Sequence, residues 1–173
     1  MWSRSVLRSA SQRARLFISN NHGLTLIELV IAMAILAVLA AAVLPLAEVT
    51  VKRTKEIELQ RALRDIRSAI DAYKADYEKA KAEKKIITSI GETGYPEELA
   101  ELVEGKEWGD LYPYPRKYLR RIPKDPFDKY DEGWGLRSYK DDPDSSVWGG
   151  DDVFDVYSQS DGIALDGTEY RNW

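Results

Sequence analysis

An uninterrupted apolar run over residues 29–47 constrains this chain more than any other feature. Val, Ile, Leu, Met and Ala fill every place in it except Pro45, and it carries no charge. Counted over residues 24–47, the segment is about 36 Å long as a helix, at roughly 1.5 Å per residue. About 20 such residues cross a bilayer's hydrocarbon core, so the stretch is long enough to span. One carboxylate, Glu28, stands at its entry. An ionised side chain in lipid costs at least about 2.5 kcal/mol, so Glu28 calls for a partner.

The 23 residues ahead of the run contain Arg4, Arg8, Arg13 and Arg15 and no acid. A basic flank of this kind predicts a cytoplasmic N-terminus, with the bulk of the chain across the membrane. Two plain readings compete here. An ordinary signal peptide would use Ala40, Ala41 and Ala42 as its cleavage site, but its apolar core is usually 7–15 residues. A simple signal-anchor helix is the other.

A third reading rests on Gly23-Leu24-Thr25-Leu26-Ile27-Glu28. This segment resembles the processing site of type IV pilins and of the pseudopilins of type II secretion. The resemblance implies cleavage between Gly23 and Leu24 by a prepilin peptidase and N-methylation of the new Leu24 amine. It also implies that Glu28 pairs with that amine on a neighbouring subunit during assembly. Pro45 resembles a proline at the matching place in the family's N-terminal helix. Alternatively it only starts a separate helix, since proline inside a helix removes a hydrogen bond and kinks the axis.

Removing residues 1–23 takes away four arginines and leaves a net charge of −8. An acidic domain argues against nucleic acid as a partner, since phosphate contacts need clustered Lys and Arg. The local cluster of Arg116, Lys117, Arg120, Arg121 and Lys124 reads as a solvated face. Cysteine is absent, and the sole histidine is His22. The processed chain would therefore lack both, which excludes Ser-His-Asp and Cys-His catalysis and the usual zinc ligands. Oxygen ligands remain, and they suit a hard cation such as calcium.

Beyond the run, residues 48–85 read as an amphipathic helix. Leu59, Leu63, Ile66, Ile70, Tyr73, Tyr77 and Ala80 alternate steps of four and three, which places them on one face. Such a stripe suits a coiled coil or a helix packed on a sheet, and the strands that follow favour the sheet. A short helix is expected over residues 95–103, with Pro96 in its first turn. Residues 105–126 carry Pro113, Pro115, Pro123 and Pro126 among tyrosines and should be irregular. Strands are expected over residues 136–139 and 153–158, the second with alternating faces. The fold class is therefore α+β, a long N-terminal helix on a small antiparallel sheet, pilin-like. Its expected parts are a cleaved leader (1–23), a membrane and polymerisation helix (24–47) and a periplasmic globular domain (48–173).

Arg121-Ile122-Pro123-Lys124-Asp125-Pro126-Phe127 is similar to the proline-rich segment of the major pseudopilin of type II secretion. Asp155-Val156-Tyr157-Ser158, then Ser160-Asp161-Gly162 and a closing Asn172-Trp173, resemble that family's last strand and loop. The resemblance implies a structural calcium ion in this loop, held by Asp161 with Asp166 or Glu169 as a second acid. Asp161-Gly162 and Asp166-Gly167 can also be read as plain turns. The family further implies a non-enzymatic subunit of a homopolymer in the periplasm, anchored in the inner membrane. Its partners would be minor pseudopilins, an inner-membrane assembly platform, the peptidase and the lipid bilayer. A type IV pilus subunit is the alternative. A membrane-anchored hydrolase using Asp151, Asp152 and Asp155 is the enzymatic rival, but nothing in the sequence indicates the cleft it needs.

Overall fold

The computed structural model describes residues 23–89 and 91–173. Contacts divide the chain into two units, Met1–Val43 and Leu44–Trp173. Helix α1, Leu26–Ala82, contributes to both. In the first unit, the Thr25 hydroxyl accepts the Glu28 backbone N–H at 3.3 Å, as an N-cap does for an otherwise orphaned donor. The apolar side chains described there are exposed.

Pro45 lies inside α1, so it does not begin a separate helix. The helix ends at Ala82, three residues short of the expected end. The Lys85 N–H turns back to the Ala80 carbonyl at 2.8 Å, and Lys84 adopts a left-handed φ of 57°. This is a Schellman closure with lysine in the place usually taken by glycine. Lys79 and Lys81 in the last turn suit its negative end.

The second unit is built on the expected stripe. Leu59, Ile66, Ile70 and Ala80 are at most 1% exposed, and Tyr73 and Tyr77 are buried with them. They pack against Leu102, Trp108, Trp134, Val153, Val156 and Tyr170. Gly94, at φ 81°, lies flat on the Tyr77 ring, where an added Cβ would come within 2.2 Å. Only glycine allows that approach.

Strands β1 (Trp134–Arg137) and β2 (Asp155–Ser158) form an antiparallel pair with Leu136 opposite Val156. The pair confirms the α+β class, but both strands differ from their expected bounds. The Ser138 and Tyr139 amides donate instead to the Asp141 and Asp152 carboxylates, at 2.7 and 2.8 Å, and the Val153 amide to the Pro96 carbonyl at 2.7 Å. Trp134 and Gly135 extend the other end, because Gly135 admits the Tyr157 ring across the ladder. Helix α2 is likewise shorter than expected, Glu101–Glu104, and Gly105 at φ 95° ends it. The Glu101 carboxylate accepts the Tyr73 hydroxyl at 2.6 Å and the Glu97 N–H at 3.2 Å. Burial and then the Glu101 bond push the Tyr73 phenol well above its ordinary pKa.

Candidate functional site

Most of the basic leader, with His22, lies outside the described residues. Gly23 lies within them and is exposed. A Cβ there would meet no atom within 4 Å, and its φ is not left-handed. The fold therefore makes no demand for glycine at this position. A requirement for glycine must come from whatever else handles the chain, and a peptidase that needs open access to the 23–24 bond is such an agent.

Leu24 is 71% exposed and Leu26 83% exposed. Along α1, an 18-residue window reaches a mean hydropathy of 2.9 with none of it buried, so the helix is long and apolar enough to cross a membrane. An apolar surface on this scale is not left to water. Glu28 sits exposed in the first turn. Among the described residues no basic side chain forms an ion pair with it. A carboxylate at the positive end of a helix is favourable locally. Within lipid that is not full compensation.

The expected calcium ligands do not converge. Asp161 pairs with Arg171, and the Arg171 Nε also lies 3.8 Å from Glu169. Asp166 accepts the Thr168 hydroxyl at 2.7 Å and the Thr168 N–H at 2.9 Å. Those bonds, the hydroxyl first, hold its carboxyl below the usual pKa range. Among the described residues no group of three or more acids, histidines or cysteines is placed to hold a metal ion. The donor set present does not fit calcium. The reading of Asp166-Gly167 as a turn is the one the geometry matches, with Gly167 at φ 89°.

The acids of the hydrolase reading are also engaged elsewhere. Asp151 pairs with Lys140 at 2.9 Å. Asp152 is buried, with one oxygen on the Tyr139 amide and the other on the Thr93 hydroxyl. Asp155 receives Arg67 at 2.7 Å and faces Arg137 at 3.6 Å. The basic cluster is partly neutralised too, with Arg116 on Asp76 and Lys124 on Asp131.

Two buried carboxylates carry contacts that apolar periodicity alone does not reveal. Asp76 accepts the Tyr112 and Tyr118 hydroxyls at 2.9 and 2.8 Å and pairs with Arg116 at 2.9 Å. Glu56 accepts the Leu165 N–H at 2.8 Å and the Tyr170 hydroxyl at 3.0 Å. Both stand in register with the stripe: Glu56 is three before Leu59, and Asp76 is three after Tyr73 and four before Ala80. A charge on that spacing signals a buried, bonded group.

No curated protein and no solved structure matches the chain. Residues 18–44 match the family described as the prokaryotic N-terminal methylation motif. The match covers Gly23, Leu24 and Glu28 and ends one residue before Pro45. The match bears on this N-terminal segment alone and leaves the unit that follows it unmatched. The chain thus bears a prokaryotic N-terminal methylation motif over residues 18–44, followed by an α+β unit.

Proposed function

We propose that this chain is a pseudopilin: a subunit that polymerises into the periplasmic filament of a type II secretion system and helps drive export of folded proteins. The observation that carries this is the exposed, charge-poor surface that α1 presents within the methylation motif. In the membrane, lipid covers that surface. In a filament, the same surface of neighbouring subunits covers it, and contacts between different faces of identical subunits propagate into a helix rather than closing. The chain is anchored in the inner membrane with its globular part periplasmic, as the arginine-rich leader predicts. Minor subunits, an inner-membrane assembly platform and the peptidase complete the set of partners.

Secretion rather than a surface pilus is supported by the likeness of residues 121–127 and 155–162 to the major pseudopilin and by the absence of cysteine. Many type IV pilins close their last loop with a disulfide. Deleting the gene and restoring it decides between the two. Loss of exoprotein from the medium, with accumulation in the periplasm and unchanged twitching and adhesion, is the expected outcome. Normal export with lost twitching or adhesion identifies a pilus subunit.

A further inference from the structure

The geometry points to a metal-free clasp, in which Glu56 and Arg67 of α1 hold segment 160–173 in the position that a calcium ion or a disulfide would otherwise secure. The segment folds back on itself. The Ala164 N–H donates to the Thr168 carbonyl at 2.7 Å, the Gly167 N–H to the Ala164 carbonyl at 3.1 Å, and the Tyr170 N–H to the Gly162 carbonyl at 3.2 Å. Its apolar contribution is small. Ala164 and Tyr170 are buried, whereas Ile163 and Leu165 stay largely exposed. Tyr170 stacks on Phe127 with centroids 4.1 Å apart, and Trp173 meets Tyr170 edge-on. Ordering a whole loop on so little burial needs further fixing.

Glu56 and Arg67 supply it with opposite charges. Glu56 Oε1 takes two donors from the segment, the Leu165 amide and the Tyr170 hydroxyl. Arg67 Nη2 donates to the Trp173 main-chain oxygen at 2.8 Å and to the Val156 carbonyl at 3.0 Å, while Nε holds Asp155 at 2.7 Å. The guanidinium therefore ties the segment's far end to β2. Eleven residues make about three helical turns, so the two side chains lie nearly in line on α1, roughly 16 Å apart. One helix face reads the middle and the far end of the segment.

The segment's own acids are used differently. A metal site needs several carboxylate or carbonyl oxygens aimed at one point. Here Asp161 meets Arg171 and Asp166 closes its own turn. At Glu56 the charge logic is the reverse of a calcium loop, with the anion on the helix and the donors on the loop.

Hydrogen exchange read by mass spectrometry, on the full chain in detergent micelles, tests the clasp over peptides covering residues 160–173. The unmutated chain is expected to show equal protection in millimolar calcium and in excess chelator. Glu56→Ala should speed exchange of that segment about tenfold or more in both conditions, since bonds to a charged acceptor are lost. Glu56→Gln keeps an acceptor oxygen and should fall between. Asp161→Ala should change it less than about twofold. Protection that appears only with calcium overturns the proposal, and so does a calcium-dependent loss in Asp161→Ala. Unchanged exchange in Glu56→Ala overturns it as well. Peptides from residues 59–80 must keep their protection in Glu56→Ala. If they do not, the calcium and chelator comparison on the unmutated chain decides alone.

Discussion

Glu28→Leu chains insert into the membrane as well as the parent but fail to build filaments. The substitution removes a charge that costs at least about 2.5 kcal/mol in lipid, so insertion survives or improves. Helix initiation survives too, because the Thr25 hydroxyl binds the backbone N–H of residue 28 and not its side chain. What is lost is the carboxylate that no described side chain of its own chain pairs with, and that a neighbour's Leu24 ammonium would meet. Removing one partner of a buried ion pair costs roughly 3–5 kcal/mol. For each added subunit, that raises the concentration needed for growth by roughly two to four orders of magnitude. Membrane fractionation checks insertion, and electron microscopy of sheared filaments checks assembly. Filaments at the parent's yield would show that the intersubunit pair does not exist.

Asp76→Ala has the largest expected effect on the globular unit. The carboxylate is buried and serves two phenols and a guanidinium. Tyr118 is tied further by the Trp108 indole, whose Nε1 donates to its hydroxyl at 2.7 Å. Burial and then the bond to Asp76 push the Tyr118 pKa up, so the phenol remains a donor through neutral pH. Hydrogen bonds to charged groups contribute about 1.5–3 kcal/mol each. Arg116 is 40% exposed and regains water, so its share is small. A loss of about 3–5 kcal/mol follows, read from chemical denaturation of the detergent-solubilised chain. Asp76→Asn keeps one acceptor oxygen and should lose about half as much. A loss under about 1 kcal/mol for Asp76→Ala would mean the network contributes little to stability.

Much of this architecture is legible from spacing alone. The run over residues 29–47 reads as a helix long and apolar enough to cross a membrane, and the stripe from Leu59 to Ala80 as a helix face that packs on a core. The carboxylates on the stripe were less legible. A count of apolar positions passes over Glu56 and Asp76, although each keeps the stripe's period. The strand ends escape for another reason: the Asp141 and Asp152 side chains compete for the amides that would lengthen the ladder, and an apolar pattern does not register such side-chain acceptors. The loop acids were legible as oxygen groups but not in their pairing. Arg171 lies ten residues from Asp161, and only the fold of segment 160–173 brings them together.

The intact mass of the protein extracted from membranes tests the central claim most directly. Processing between Gly23 and Leu24 predicts a chain that begins at Leu24, heavier by one methyl group, in cells that contain a prepilin peptidase. The same cells without the peptidase should yield the full 173 residues. A mature N-terminus within residues 40–43 would contradict the account in favour of an ordinary signal peptide. An uncut chain in peptidase-containing cells would contradict it in favour of a simple anchor.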